Sequence, residues 1–174
     1  MATYDLRKSP GHLLRRAQQY AHDLHAGAVG STGPTPRQFE VLHVVSKNKG
    51  ISQTDLVRAT GIDRSTLADM IARMMSKGLL SRSRDKEDAR ANNVSLTPAG
   101  ARALNSASSG VNRADAATLA VLPKSQQAAF VKALAAYADA LDKLGEAAPA
   151  KPAKKKAAKK APAKKKKKAK RARR

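Results

Sequence analysis

Residues 51–97 run ISQTDLVRATGIDRSTLADMIARMMSKGLLSRSRDKEDARANNVSLT, and few backbones accommodate that order of signals. Ser52 caps a short helical stretch, with Asp55 three residues on to complete the cap. Gly61 closes that helix, glycine being the residue that tolerates the left-handed backbone of a tight turn. Asp63 caps a second helix, which continues to Lys77 ahead of Gly78. In it Leu67, Met70, Ile71 and Met74 recur at i, i+3, i+4 and i+7 and form a buried stripe. Ser65, Thr66, Asp69, Ala72, Arg73 and Ser76 lie opposite. Residues 79–84 and 92–96 are strand-like, and residues 85–91 between them form a loop dense in charge.

Helix, tight turn, helix and charged hairpin is the order of a winged helix-turn-helix, a unit that sets one helix in the major groove of DNA and a basic loop beside it. A helix of about 13 residues is about 20 Å long, and its N-terminal turns meet the base edges. Ser65 and Thr66 then donate or accept at bases, and Arg73 pairs with a guanine or a phosphate. Asp69 either accepts from a cytosine amino group or, four residues before Arg73, holds that arginine by an intrahelical ion pair. Arg64 grips the DNA backbone. Ser52, Gln53 and Thr54 offer N–H groups and hydroxyls to a phosphate. Arg82, Arg84, Lys86 and Arg90 crowd the hairpin, where an arginine at the tip fits the narrow, electronegative minor groove. Asp88, two residues before Arg90, is placed to hold its guanidinium.

Charge is distributed to match. The chain has 174 residues, 35 Lys/Arg and 13 Asp/Glu, a net +22. Fifteen of those cations and none of the acids fall in residues 147–174. That tail is lysine, alanine and proline with no large apolar residue, and self-repulsion and proline keep it disordered on its own. It is either a solubilising extension or a sequence-independent clamp on phosphates. There is no cysteine, which excludes a disulfide framework and a cysteine-based zinc finger. No apolar run approaches a membrane span, and the first residues have no apolar signal core, so a cytoplasmic, nucleoid-associated protein is expected. No glycine-rich phosphate loop, carboxylate pair or Ser/His/Asp set suggests an enzyme, and no cofactor is implied.

Helices flank the central block. Ser9-Pro10 opens the first, with Leu13, Leu14, Ala17, Tyr20, Ala21 and Leu24 at helical spacing, and residues 27–36 read as a connection. Thr35 with Gln38 forms a capping box for a second helix through Phe39, Val41, Leu42, Val44 and Val45. Thr97-Pro98 begins a long helix rich in alanine and serine, with Gly110 inside it and no evident partner. After Pro123, Phe130, Leu134, Tyr137, Leu141 and Leu144 are spaced 4, 3, 4, 3, the narrow seam of a coiled coil. That seam covers either the domain's own core or a second subunit. The fold class expected is mainly α with a small β-hairpin wing. The chain divides into residues 1–34, an N-terminal helix and linker, 35–97, the winged unit, 98–146, the C-terminal helices, and 147–174, the tail.

His12, Arg16 and Tyr20, four residues apart on the first helix, share a face that suits a carboxylated aromatic compound, with His43 of the second helix a candidate neighbour. His22 and His25, with Asp23 between, lack a third metal ligand, so no metal site is expected.

The run 34–97 resembles the MarR family of bacterial transcription regulators. The matching pieces are Thr-Pro-x-Gln-Phe-x-Val-Leu (Thr35 to Leu42), Ser-Thr-Leu and Lys-Gly-Leu-Leu of the second central helix, Asp-x-Arg of the wing (Asp88, Arg90) and Val-x-Leu-Thr-Pro-x-Gly (Val94 to Gly100). The resemblance implies a homodimer whose first and last two helices interlock, reading an inverted-repeat operator. It implies a repressor released by a small, often aromatic or phenolic, ligand bound between the dimerisation helices and the winged unit. It makes Arg90 the minor-groove arginine and Asp88 its positioner. Asp69 stands where the family often has a basic or hydroxyl residue, and the polybasic tail is not a general family feature. A winged body with a Lys/Ala/Pro tail is also similar to the layout of linker histones, so an architectural DNA-binding protein is the alternative.

Overall fold

The computed structural model describes residues 4–84 and 92–147. A 3-10 turn at Leu6–Lys8 leads into α1 (Pro10–Val29) and α2 (Pro36–Lys47). Then come β1 (Ile51–Ser52), α3 (Gln53–Thr60), α4 (Arg64–Ser76), β2 (Leu80–Arg84), β3 (Asn92–Leu96), α5 (Pro98–Ala120) and α6 (Lys124–Ala147). The strands form one antiparallel sheet in the order β1-β3-β2. The architecture is the expected one, mainly helical with a hairpin wing. Lys86, Asp88, Arg90 and the tail from residue 148 lie outside the described residues.

Three helices begin the same way: Ser9, Thr35 and Thr97 each precede a proline and accept a hydrogen bond from the backbone N–H three residues on. Proline lacks the N–H that this position would leave unpaired, and its φ already suits a helix. At Thr35 the box is reciprocal, because the Gln38 side chain accepts from the Thr35 N–H at 3.2 Å.

Two local details differ from the sequence reading. α1 runs on to Val29, through the start of the expected connection, because Ala26, Ala28 and Val29 sustain a helix and Gly27 does not break it; the stop is Gly30, at φ +85°. A third strand, β1, pairs Ile51 with Val94 and Ser52 with Asn93. Two residues carry no alternation from which it could be read.

The core gathers Val41, Leu42 and Val45 of α2, Leu56 of α3, Leu67, Ile71 and Met74 of α4, Leu80 and Val94 of the hairpin and Leu104 of α5. Each such side chain contributes about 1.5–3 kcal/mol by leaving water. Met70, the fourth member of the α4 stripe, is only partly buried at its edge. Thr97 fastens the hairpin to α5: its hydroxyl donates to the Gly78 carbonyl at 2.6 Å and accepts from the Gly100 N–H at 3.0 Å. A Cβ on Gly100 would overlap the Leu79 carbonyl oxygen, which is why Thr-Pro-x-Gly ends in glycine.

The small residues of α5 have a partner after all. Ala107, Gly110 and Ala114 are buried, and a Cβ on Gly110 would sit 2.6 Å from the Ala28 carbonyl oxygen of α1. Arg113 donates to that same carbonyl at 3.2 Å. α6 is different. None of its described side chains is buried, and Phe130, Leu134, Tyr137, Leu141 and Leu144 are 38–68% exposed. Within the single chain the seam does not cover the core.

Candidate nucleic-acid interface

α4 is held from behind and bare in front. Leu67, Ile71 and Met74 are fully buried, whereas Ser65, Thr66, Asp69, Ala72, Arg73 and Ser76 are all exposed. Asp63 anchors its first turn: Oδ1 accepts from the Ser65 N–H at 3.1 Å, the Ser65 hydroxyl at 2.7 Å and the Thr66 N–H at 3.0 Å. Bonds from Thr66 and then Ser65 hold the Asp63 carboxyl well below the usual carboxylate range, since they stabilise its charged form. The Ser65 hydroxyl proton is therefore already committed. So is that of Ser76, which donates to the Arg73 carbonyl at 2.8 Å.

The ion pair considered between Asp69 and Arg73 is not formed. Among the described residues the ion pairs are Arg37–Glu40 at 3.4 Å and Arg58–Asp55 at 3.8 Å. Both side chains of the α4 pair are exposed, where fixing two solvated chains costs entropy for a small gain.

The flanking groups lie at the start of α3, at the start of α4 and on β2. Gly61 takes φ +62° and its N–H bonds to the Val57 carbonyl, so α3 ends abruptly. Arg64 is exposed at the first position of α4, and Thr54 at the start of α3. The Ser52 hydroxyl accepts from the Asp55 N–H at 3.1 Å and donates to the Asp55 carboxylate at 2.6 Å. The cap is completed hydroxyl to carboxylate, and this leaves the N–H groups of Gln53 and Thr54 at the helix start. Arg82, on β2 opposite Val94, is exposed; Arg84 ends that strand opposite Asn92.

Two roles escaped the sequence reading. Arg37 Nη1 reaches both the Glu40 carboxylate and the Thr60 carbonyl at 3.4 Å, tying α2 to the end of α3. Burial pushes the Glu40 carboxyl up, and Arg37 partly opposes the shift. His25 is buried, with Nε2 2.9 Å from the Pro34 carbonyl, whereas His22 is exposed; the two histidines serve different faces of α1.

Arg16 and Tyr20 are exposed, His12 is half-buried, and His43 stacks on Phe39 of its own helix with ring centroids 6.2 Å apart. On α1 a cleft of about 420 Å³ is lined by Arg15, Gln18, Gln19 and His22. A second, apolar groove of about 630 Å³ runs between α1 and α6, with Leu13, Leu14, Phe130, Leu134 and Tyr137 on its walls.

A two-helix reader with a helix-capped hairpin defines a winged helix-turn-helix protein. Residues 32–91 match the MarR family. The structure resembles PcaV, a transcriptional regulator from Streptomyces coelicolor solved with its natural ligand: 34% identity, 81% of this chain and 99% of that one, TM-score 0.75. BpsR of Bordetella bronchiseptica, whose DNA binding is regulated by 6-hydroxynicotinic acid, is 30% identical over 79% of this chain and 99% of that one, with TM-score 0.74. The transcriptional repressor NicR of Pseudomonas putida is 31% identical over 102 residues, 59% of this chain and 65% of the repressor. The first two curated relatives are thus matched over just under two thirds of their own length, 64% and 65%. The chain belongs to the MarR family of transcriptional regulators. Among the described residues no helix is long and apolar enough to cross a membrane.

Proposed function

We propose that this chain is a homodimeric repressor that reads an inverted-repeat operator and is released by a small aromatic acid or its thioester. The observation that carries the reading is α4: Leu67, Ile71 and Met74 are locked in the core while its polar face is exposed to solvent. Ser65, Thr66, Asp69 and Arg73 meet bases, while Ser52, Gln53, Thr54 and Arg64 meet phosphates. Arg82, Arg84, Lys86 and Arg90 act from the wing, with Asp88 positioning Arg90. Regulation of BpsR by 6-hydroxynicotinic acid supports an aromatic acid as effector. The Arg15–His22 cleft gives such a ligand a cation and three other polar groups on α1, beside the candidates His12, Arg16, Tyr20 and His43. The tail adds counterion release without sequence preference.

Footprinting of the full chain on its own promoter tests this. A protected palindrome, lost on addition of 6-hydroxynicotinic acid or another aromatic acid and weakened by Arg90→Ala, is the expected result. The polybasic tail also suits an architectural DNA-binding protein, and protection spread evenly over any duplex would favour that reading and overturn the repressor.

A further inference from the structure

Between Ser65 and Ser76 the exposed face of α4 carries two charged groups, Asp69 and Arg73, which make no hydrogen bond or ion pair among the described residues. The hydroxyl protons of Ser65 and Ser76 are spent within the chain. Resting on the reading of α4 as the helix that enters the groove, we infer that Asp69 is a specificity filter: it demands a cytosine in each half-site, within about two base pairs of a guanine paired with Arg73.

A carboxylate among phosphates is repelled by every duplex, so it is tolerated only where the groove offers it a donor. The major groove has two such donors, the cytosine N4 amino and the adenine N6 amino. Adenine N6 lies beside the N7 lone pair, which repels the second carboxylate oxygen. Cytosine N4 lies beside a ring C–H, which does not. Cytosine is therefore the base a carboxylate selects. Asp69 and Arg73 are four residues apart, about 6 Å along the helix axis, against about 3.4 Å per base-pair step; hence the short spacing of the two bases. With no partner on its own helix, Asp69 is free to discriminate instead of merely bracing Arg73.

The test uses the full chain. A site is selected from a pool of random duplexes, each base pair in it is replaced in turn, and binding is followed by fluorescence anisotropy. Wild type should lose about 5- to 100-fold when the cytosine is replaced. Asp69→Ala should flatten the preference at that pair alone and bind random DNA more tightly. Asp69→Asn should move the preference from cytosine to adenine, whose N6 and N7 suit an amide. Base preferences for both variants matching those of wild type, at equal melting temperatures, would overturn the inference and leave the repressor reading standing. Failure of wild type to select any site would overturn both.

Discussion

The Nε2 atom of His25 lies 2.9 Å from the carbonyl oxygen of Pro34, which ties the last turns of α1 to the residue before the α2 cap. At 7% exposure His25 is the buried polar side chain of the described residues. With Nε2–H donating, the carbonyl of a residue that has no N–H of its own is satisfied away from water. His25→Ala leaves that carbonyl unpaired and opens a hole beside it. The expected loss is about 2–4 kcal/mol, read as a lower urea midpoint, with His25→Gln recovering part of it. An unchanged midpoint would show that the bond bears no stability.

Glycines at two helix positions separate propensity from packing. Gly27 in α1 has nothing within 4 Å of where its Cβ would be, whereas at Gly110 an added methyl meets the Ala28 backbone, which has no flexible end to move aside. Gly27→Ala should stabilise by about 0.5–1 kcal/mol, the ordinary gain in a helix. Gly110→Ala should destabilise by about 1–3 kcal/mol despite the same gain, because α1 and α5 must part. Thermal unfolding of the two variants side by side measures the difference; a higher melting temperature for Gly110→Ala would mean the helices do not meet as closely as described.

Capping and periodicity made most of the fold legible in the sequence, because caps act within three residues. Ser9, Thr35, Ser52, Asp63 and Thr97 each marked a helix start that the structure places there. The stripe of α4 was legible for the same local reason. What could not be read depends on residues far apart. Gly110 needs Ala28, Arg37 needs Thr60, and β1 exists only because β3 lies beside it. The Asp69–Arg73 pairing failed in the opposite direction, since correct spacing permits an ion pair without supplying the energy to hold one in water. Of the candidate site, the exposed face of α4 was readable from its apolar complement. The cleft lined by Arg15, Gln18, Gln19 and His22 was not readable, because α1 presents cations and histidines all round and spacing alone does not say which side forms a cleft.

Asp63 should make stability depend on pH in a calculable direction. Its folded carboxyl is held below the unfolded value of about 3.9, so the ionised cap stabilises α4 above that value. The contribution is lost as the pH falls through the depressed folded value. Asp63→Asn should therefore lower the melting temperature at pH 7, and the gap to wild type should narrow as the pH is taken below about 4. A gap that stays constant across that range would remove the charge from the cap's role.

α6 offers the sharpest test of the dimer. Over its 24 residues, about 36 Å of helix, it buries no described side chain, yet Phe130, Leu134, Tyr137, Leu141 and Leu144 form a seam spaced for a second helix. One wall of the apolar groove is the same stripe, and α1 supplies the other. Water against this much aliphatic and aromatic surface is unfavourable, so a second copy should cover it. Leu134→Glu with Leu141→Glu puts charges into that seam. Sedimentation should find the variant monomeric at concentrations where wild type is dimeric, and its affinity for a two-half-site operator should fall by about 10²–10⁴ as the linked second contact disappears. The winged unit should stay folded, because no α6 residue belongs to its core, and near-unchanged unfolding of that unit would separate lost pairing from lost structure. A variant that remains dimeric would move the subunit interface to another face of the chain.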